Sequence, residues 1–196
     1  FLWFINQYQE IDLILPDGGR VHYVRISPGT GASNAVLEST ATSTQFYKSR
    51  IVWNGKGWDL TRKDGMVYVF GDNSPLQALR DRWGNTVSLT YDTVNTVGAP
   101  SGNVIQVTSP NGRWLKLTYD TSNRITQAMD NTGRAVTYTY DTSGRLWKVT
   151  DPNGGVEEYT YDSSSRLLTR KDKRGTLILT NQYDTNGRVS KQTLAD

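Results

Sequence analysis

Along the C-terminal two thirds of the chain, apolar and polar residues alternate in short runs. In residues 134–140, Val136, Tyr138 and Tyr140 fall on one side and Thr137 and Thr139 on the other. Leu115, Leu117 and Tyr119 make the same column earlier, as do Val87, Leu89 and Tyr91. A period of two is the signature of half-buried β-strands. Residues 9–15, 20–26, 45–53, 58–62 and 66–70 also read as strands, with glycine-bearing turns at 17–19, 54–57 and 64–65. Residues 27–44, rich in Gly, Ser, Thr and Ala, read as a loop, with 35–39 a short helix.

The alternation recurs with a fixed partner motif. Tyr-Asp stands at Tyr91-Asp92, Tyr119-Asp120, Tyr140-Asp141, Tyr161-Asp162 and Tyr183-Asp184, spaced by 28, 21, 21 and 22 residues. Five residues after each of the last four tyrosines comes an arginine: Arg124, Arg145, Arg166 and Arg188. Gly144 and Gly187 precede two of them. Six residues after Arg124, Arg145 and Arg166 an aspartate opens an Asp-x-x-Gly group, as in Asp151 to Gly154. An aspartate that accepts hydrogen bonds from the backbone ahead of it, followed by a glycine that tolerates positive φ, makes a hairpin connection built on a type I turn. Each unit therefore holds two strands and two turns, and successive units extend one antiparallel meander. The 28-residue interval implies an insertion in a loop at 95–101, and the 22-residue interval implies one extra residue between Gly175 and Tyr183, accommodated as a β-bulge.

The fold class expected is all-β, an antiparallel meander of repeated hairpins in a curled single-layer sheet. Residues 75–196 form about five 21-residue units. Residues 1–74 form a degenerate or capping start of the array. In strand 146–150 Leu146, Lys148 and Thr150 alternate with Trp147 and Val149, so each face reads as mixed; a single layer around a cavity tolerates that, whereas a sandwich needs one apolar face.

Composition sharpens this picture without redirecting it. The net charge is +3 with scattered basic residues, which gives no electrostatic case for nucleic acid. The absence of cysteine leaves pairing and packing to hold the fold. No apolar run is long enough to span a membrane, and the opening apolar stretch at 1–5 is too short for a signal segment. A first residue other than Met is what a fragment of a longer polypeptide would show.

Tyr140-Asp141-Thr142-Ser143-Gly144-Arg145-Leu146, followed by Val149-Thr150-Asp151-Pro152-Asn153-Gly154, resembles the YD, or RHS, repeat family of bacterial RHS toxins, toxin-complex components, wall-associated proteins and teneurins. The resemblance covers about residues 75–193 and implies a β-ribbon that spirals into a hollow shell, often around a C-terminal toxin. In RHS toxins an Asp-Pro-x-Gly motif marks autocleavage at the end of the shell; here Asp151 to Gly154 sits inside an ordinary repeat, so no protease activity is assigned.

Candidate chemistry is sparse. His22 is the single histidine and falls within a strand, Asp-rich turns explain themselves as turns without calcium, and Glu157 and Glu158 point to opposite faces of their strand. No phosphate-binding, nucleophile-elbow or zinc-protease motif is present, so no enzyme, cofactor or metal site is expected. The repeated arginines are expected to pair with the repeated aspartates or stack on tyrosines. The function expected is a non-catalytic, secreted or cell-surface shell segment that encloses or delivers a toxin or other cargo domain, with the rest of a larger polypeptide as partner and self-association through sheet edges. The alternative is an adhesion module that binds carbohydrate or a protein through tryptophans Trp3, Trp53, Trp58, Trp83, Trp114 and Trp147.

Overall fold

A computed structural model describes residues 1–40 and 44–195 of the chain. Its regular elements are eighteen strands, all pairing antiparallel, with no helix among the described residues. They divide into two compact units, Phe1–Trp114 and Leu115–Asp196.

The first unit holds β1 (Leu2–Asn6), β2 (Glu10–Ile14), β3 (Arg20–Arg25), β4 (Val36–Glu38), β5 (Arg50–Trp53), β6 (Gly57–Thr61), β7 (Val67–Gly71), β8 (Leu76–Arg80), β9 (Thr86–Val94) and β10 (Pro100–Thr108). Each pairs with the next in sequence. The sheet curls far enough for Phe4 and Tyr8 to reach Trp58 of β6, with ring centroids 5.6 and 5.9 Å apart. Inside the curl lie Ile11, Leu13, Tyr23, Leu37, Ile51, Trp58 and Leu60. Burial of these side chains is the main stabilising term in this unit. The Tyr23 hydroxyl donates to Ser49 Oγ at 2.7 Å, which in turn donates to the Phe46 carbonyl, so the polar end of a buried ring is satisfied. Burial pushes the Tyr23 phenol up to about 12.

Three local expectations need correction here. Within residues 35–39 the chain forms β4, Val36–Glu38, rather than a helix: five residues give a helix no stable nucleus, whereas Leu37 buried between Arg25 and Ile51 gains a ladder on both sides. The strand expected over 45–53 starts only at Arg50, because the chain turns at 44–48 to bury Phe46, with Lys48 at φ 62. The loop expected at 95–101 is a longer hairpin: β9 and β10 extend to Val94 and Pro100, and a tight turn closes through Asn95 N–H to the Ala99 carbonyl at 2.8 Å. The opening stretch is also a strand, β1, and residues 41–43 of the expected loop lie outside the described residues.

The second unit holds β11 (Trp114–Tyr119), β12 (Ile125–Asp130), β13 (Ala135–Tyr140), β14 (Leu146–Thr150), β15 (Val156–Tyr161), β16 (Leu167–Lys171), β17 (Leu177–Tyr183) and β18 (Val189–Leu194), the unit boundary falling at the start of β11. They form a consecutive meander in which no hydrophobic side chain is fully buried. At every Tyr-Asp hairpin the register slips by one residue: Tyr119 opposes Ile125, Tyr140 opposes Leu146, Tyr161 opposes Leu167 and Tyr183 opposes Val189, leaving Thr126, Trp147, Leu168 and Ser190 as bulges. The extra residue before Tyr183 is Ile178, skipped between the pairs Arg170–Leu179 and Lys171–Leu177.

These bulges change which residues of β14 share a face, while neither face becomes uniformly apolar. Skipping Trp147 puts Leu146 on the side of Tyr138, Tyr140 and Val149, while Lys148 and Thr150 join Thr137 and Thr139. One face thus carries Tyr138, Tyr140, Leu146, Val149, Tyr159 and Tyr161 together with the ion pair Glu157–Arg170, and the other is mainly Thr, Lys and Glu with Val156 among them, Thr160, Thr169, Thr180 and Thr193 forming one row. The layer is single, and its two sides differ.

Candidate functional site

The repeated residues converge at the Tyr-Asp turns. In each, the aspartate's Oδ1 accepts the backbone N–H two and four residues on: Ser143 and Arg145 for Asp141, both at 2.9 Å. Asp120, Asp162 and Asp184 do the same with Arg124, Arg166 and Arg188. The other oxygen accepts the arginine Nε, at 2.8 Å for Asp120, 2.8 Å for Asp141, 2.6 Å for Asp162 and 3.2 Å for Asp184. A left-handed residue completes the turn: Gly144 (φ 80) and Gly187 (φ 79), with Asn123 and Ser165 in the other two.

The first three of these arginines then reach the next repeat. The Arg124 guanidinium lies 4.4 Å from the Tyr140 ring centroid, Arg145 lies 5.0 Å from Tyr161, and Arg166 lies 4.5 Å from Tyr183. The stacked tyrosine hydroxyls donate back to the preceding hairpin: Tyr140 to the Ile125 carbonyl, Tyr161 to Leu146 and Tyr183 to Leu167, at 2.7, 2.8 and 2.7 Å. Aspartate, arginine and tyrosine thus form a ladder in which every unit grips its neighbour twice. The backbone N–H of the following arginine, and then its guanidinium, hold Asp120, Asp141 and Asp162 below the usual carboxylate range; the Arg188 N–H does the same for Asp184.

In the first unit the ladder is recognisable with substitutions. Tyr91 donates to the Leu76 carbonyl at 2.5 Å, and Asp92 accepts both the backbone N–H and the side-chain amide of Asn103, which stands where later copies have arginine. Phe70 opposes Leu76 with the same one-residue slip, so Phe70-Gly71 occupies the Tyr-Asp place of a still earlier copy. The Asp-x-x-Gly group Asp81 to Gly84 marks this copy in the sequence, and its turn forms as in later copies; the Phe70-Gly71 place itself shows only in the spacing of Leu76 from Tyr91, equal to that of Ile125 from Tyr140.

The Asp-x-x-Gly turns line the opposite ends of the strands. Asp151 accepts the N–H of Asn153 and Gly155, with Gly154 at φ 84, and its second oxygen takes the Lys173 ammonium at 2.5 Å. The Lys173 ammonium, ahead of the turn's N–H groups, holds this carboxyl low. His22 lies on β3 with Nδ1 2.9 Å from Asp12 Oδ1. Among the described residues no three His, Cys, Asp or Glu side chains are grouped to hold a metal ion, and no helix is long and apolar enough to cross a membrane.

The teneurin YD-shell family model matches residues 61–196, which include every copy of the ladder. The chain belongs to this family. Its YD-shell fold has similar solved structures. The TcdB2-TccC3-Cdc42 crystal structure shares 15% identity over 92% of this chain at a TM-score of 0.49. The Photorhabdus luminescens Tc holotoxin pore with the TccC3-D651A mutation shares 13% identity over 94% at 0.42. This chain spans 11% of the length of each of those chains. No curated protein matches the sequence.

Proposed function

We infer that this YD-shell chain is a wall segment of a larger repeat polypeptide, secreted or displayed at the cell surface, whose work is to enclose or deliver another domain rather than to catalyse a reaction. The observation that carries this is the ladder. Its carboxylates, guanidinium groups and phenols are saturated by one another, which ties consecutive hairpins into a continuous sheet and leaves no group poised for chemistry. Such a sheet suits a container, because stiffness accumulates along the array while each hairpin contributes only local contacts.

The test is protease protection in the full-length polypeptide that contains this segment. The enclosed domain resists trypsin while the ladder is intact, and Arg145→Ala combined with Tyr161→Ala exposes it. Equal cleavage rates in the two proteins would overturn the enclosure role.

A further inference from the structure

Six times an Asn or Asp is followed directly by Gly: at Asp17-Gly18, Asn54-Gly55, Asp64-Gly65, Asn111-Gly112, Asn153-Gly154 and Asn186-Gly187. All six glycines stand at positive φ in hairpin turns, between 79 and 96°. Five of them use the backbone N–H inside the turn. Gly18 donates to the Leu15 carbonyl at 3.1 Å, and Gly65 to Arg62, Gly112 to Ser109, Gly154 to Asp151 and Gly187 to Asp184, each at 3.0 Å. Gly55 is the exception, because its turn joins β5 to β6 with three residues where the other five connections have five. Here the Asn54 N–H donates to the Gly57 carbonyl and the Lys56 N–H to Asn54 Oδ1, both at 2.9 Å. Among the described residues the Gly55 N–H is left without an acceptor. Nothing lies within 4 Å of where a Gly55 Cβ would stand, so the turn is open on that side.

The Asn54 side chain is held beside this nitrogen. Its Oδ1 accepts the Lys56 N–H, which draws electron density from the amide carbon, and its Nδ2 donates to Asp59 Oδ1 at 2.7 Å, which keeps the amide in one orientation. We propose that Asn54 is a self-modifying position, the one Asn-Gly of the chain that the fold leaves free to deamidate. The Gly55 nitrogen gives up its proton to solvent hydroxide and attacks Asn54 Cγ. A bond forms between them, the Cγ–Nδ2 bond breaks, and ammonia leaves with a proton taken from water. Water then opens the resulting succinimide at either carbonyl, giving aspartate or isoaspartate, with no oxidant or cofactor required. At Asn111, Asn153 and Asn186 the same attack waits for the turn to open, because an N–H held by a carbonyl is shielded from base. Either product sets a carboxylate against Asp59 in place of the amide that donated to it. Isoaspartate also routes the main chain through Cβ, which lengthens the turn next to the paired Trp53 and Trp58, whose rings lie 5.1 Å apart.

The test incubates the intact chain in mildly alkaline buffer and follows deamidation and isoaspartate at each Asn-Gly by peptide mapping and mass spectrometry, alongside amide hydrogen exchange. The Gly55 amide exchanges faster than those of Gly112, Gly154 and Gly187, and Asn54 converts at least about tenfold faster than Asn111, Asn153 or Asn186. In the same chain unfolded in guanidinium chloride that lead collapses, since the turns that separate the four sites are gone. Asn54→Gln abolishes the fast conversion and leaves the three slow ones as they were. The proposal is overturned by a smaller lead for Asn54 in the folded chain, by a Gly55 amide as protected as the other three, by a lead that is as large in the unfolded chain, or by fast conversion that survives Asn54→Gln. None of these outcomes bears on the enclosure role, which protease protection reads.

Discussion

Arg145 and Tyr161 belong to different repeats, yet the guanidinium of one lies 5.0 Å from the ring of the other, while the ring's hydroxyl donates to the carbonyl of Leu146, the residue that follows the arginine. Stack and hydrogen bond close a small loop across the β14–β15 pair. Tyr161→Phe keeps the stack and removes the donor, so it costs about 1 kcal/mol in urea unfolding. Arg145→Ala removes the stack, the pairing with Asp141 and the donation from Nη1 to the Asp162 carbonyl at 2.8 Å, and costs about 2 kcal/mol. A loss below about 0.3 kcal/mol for both variants would mean that the ladder decorates the sheet without holding it.

Neighbouring rungs should couple and distant ones should not. Arg145 touches the Tyr161 ring directly, so the double variant Arg145→Ala/Tyr161→Leu, which removes the stack from both sides, departs from the sum of its parts by about 0.5 kcal/mol or more. Arg124→Ala combined with Tyr183→Phe, which share no partner, adds within about 0.3–0.5 kcal/mol. Double-mutant cycles by urea denaturation distinguish the cases, and equal non-additivity in both would indicate coupling carried by the whole sheet rather than by the rungs.

How much of this was legible beforehand differs by element. The Tyr-Asp period was visible because each copy needs the same residue types: a carboxylate to accept three donors, a small or amide side chain at positive φ, and an arginine long enough to reach the next ring. The bulges were not, since Thr126, Trp147, Leu168 and Ser190 share no chemistry and a bulge is a matter of register. Missing them misassigned the faces of β14. Likewise β4 hides among Gly, Ser and Ala because its three residues are held by burial of Leu37 rather than by local preference. The fold-back of the β9–β10 hairpin depends on Asn95 meeting a turn more than twenty residues earlier, which no local pattern reports.

Acid should act on the ladder later than on ordinary carboxylates. Asp120, Asp141 and Asp162 are depressed chiefly by the arginine backbone N–H and secondly by the guanidinium. A carboxyl whose folded value is lowered contributes stability that is complete above its unfolded value of about 3.9 and is lost as pH falls through the folded value. Stability is therefore flat from about pH 5 to 8 and declines below about pH 4. Because the main donor is backbone, Arg145→Gln keeps Asp141 below the ordinary value, though less far. Carbon-detected NMR titration of Asp141 reads this directly; an ordinary titration in the wild type would show that the turn hydrogen bonds do not persist in solution.

The left-handed position of each Tyr-Asp turn decides where the previous arginine can sit. At Gly144 an added Cβ would lie 2.7 Å from the nearest guanidinium nitrogen of Arg124, and at Gly187 it would lie 3.2 Å from that of Arg166; these two arginines stack closest on their tyrosines. In the turn between them the position is Ser165, at φ 61, and there Arg145 stands farther from its ring and turns Nη1 onto the Asp162 carbonyl instead. Gly144→Ser should therefore move Arg124 into the Arg145 arrangement, at a cost of about 1–2 kcal/mol for the left-handed backbone. Gly154, at φ 84 with open space around its Cα, should suffer a similar backbone cost on substitution by Ala but leave every arginine in place. Ser165→Gly should relieve strain and draw Arg145 toward Tyr161, with a net gain of about 0.5 kcal/mol after the greater freedom of glycine in the unfolded chain. Crystal structures with urea unfolding curves check both halves. If Arg124 keeps its place over Tyr140 in Gly144→Ser, then the turn residue does not set the arginine's position, and the different stance of Arg145 has another origin.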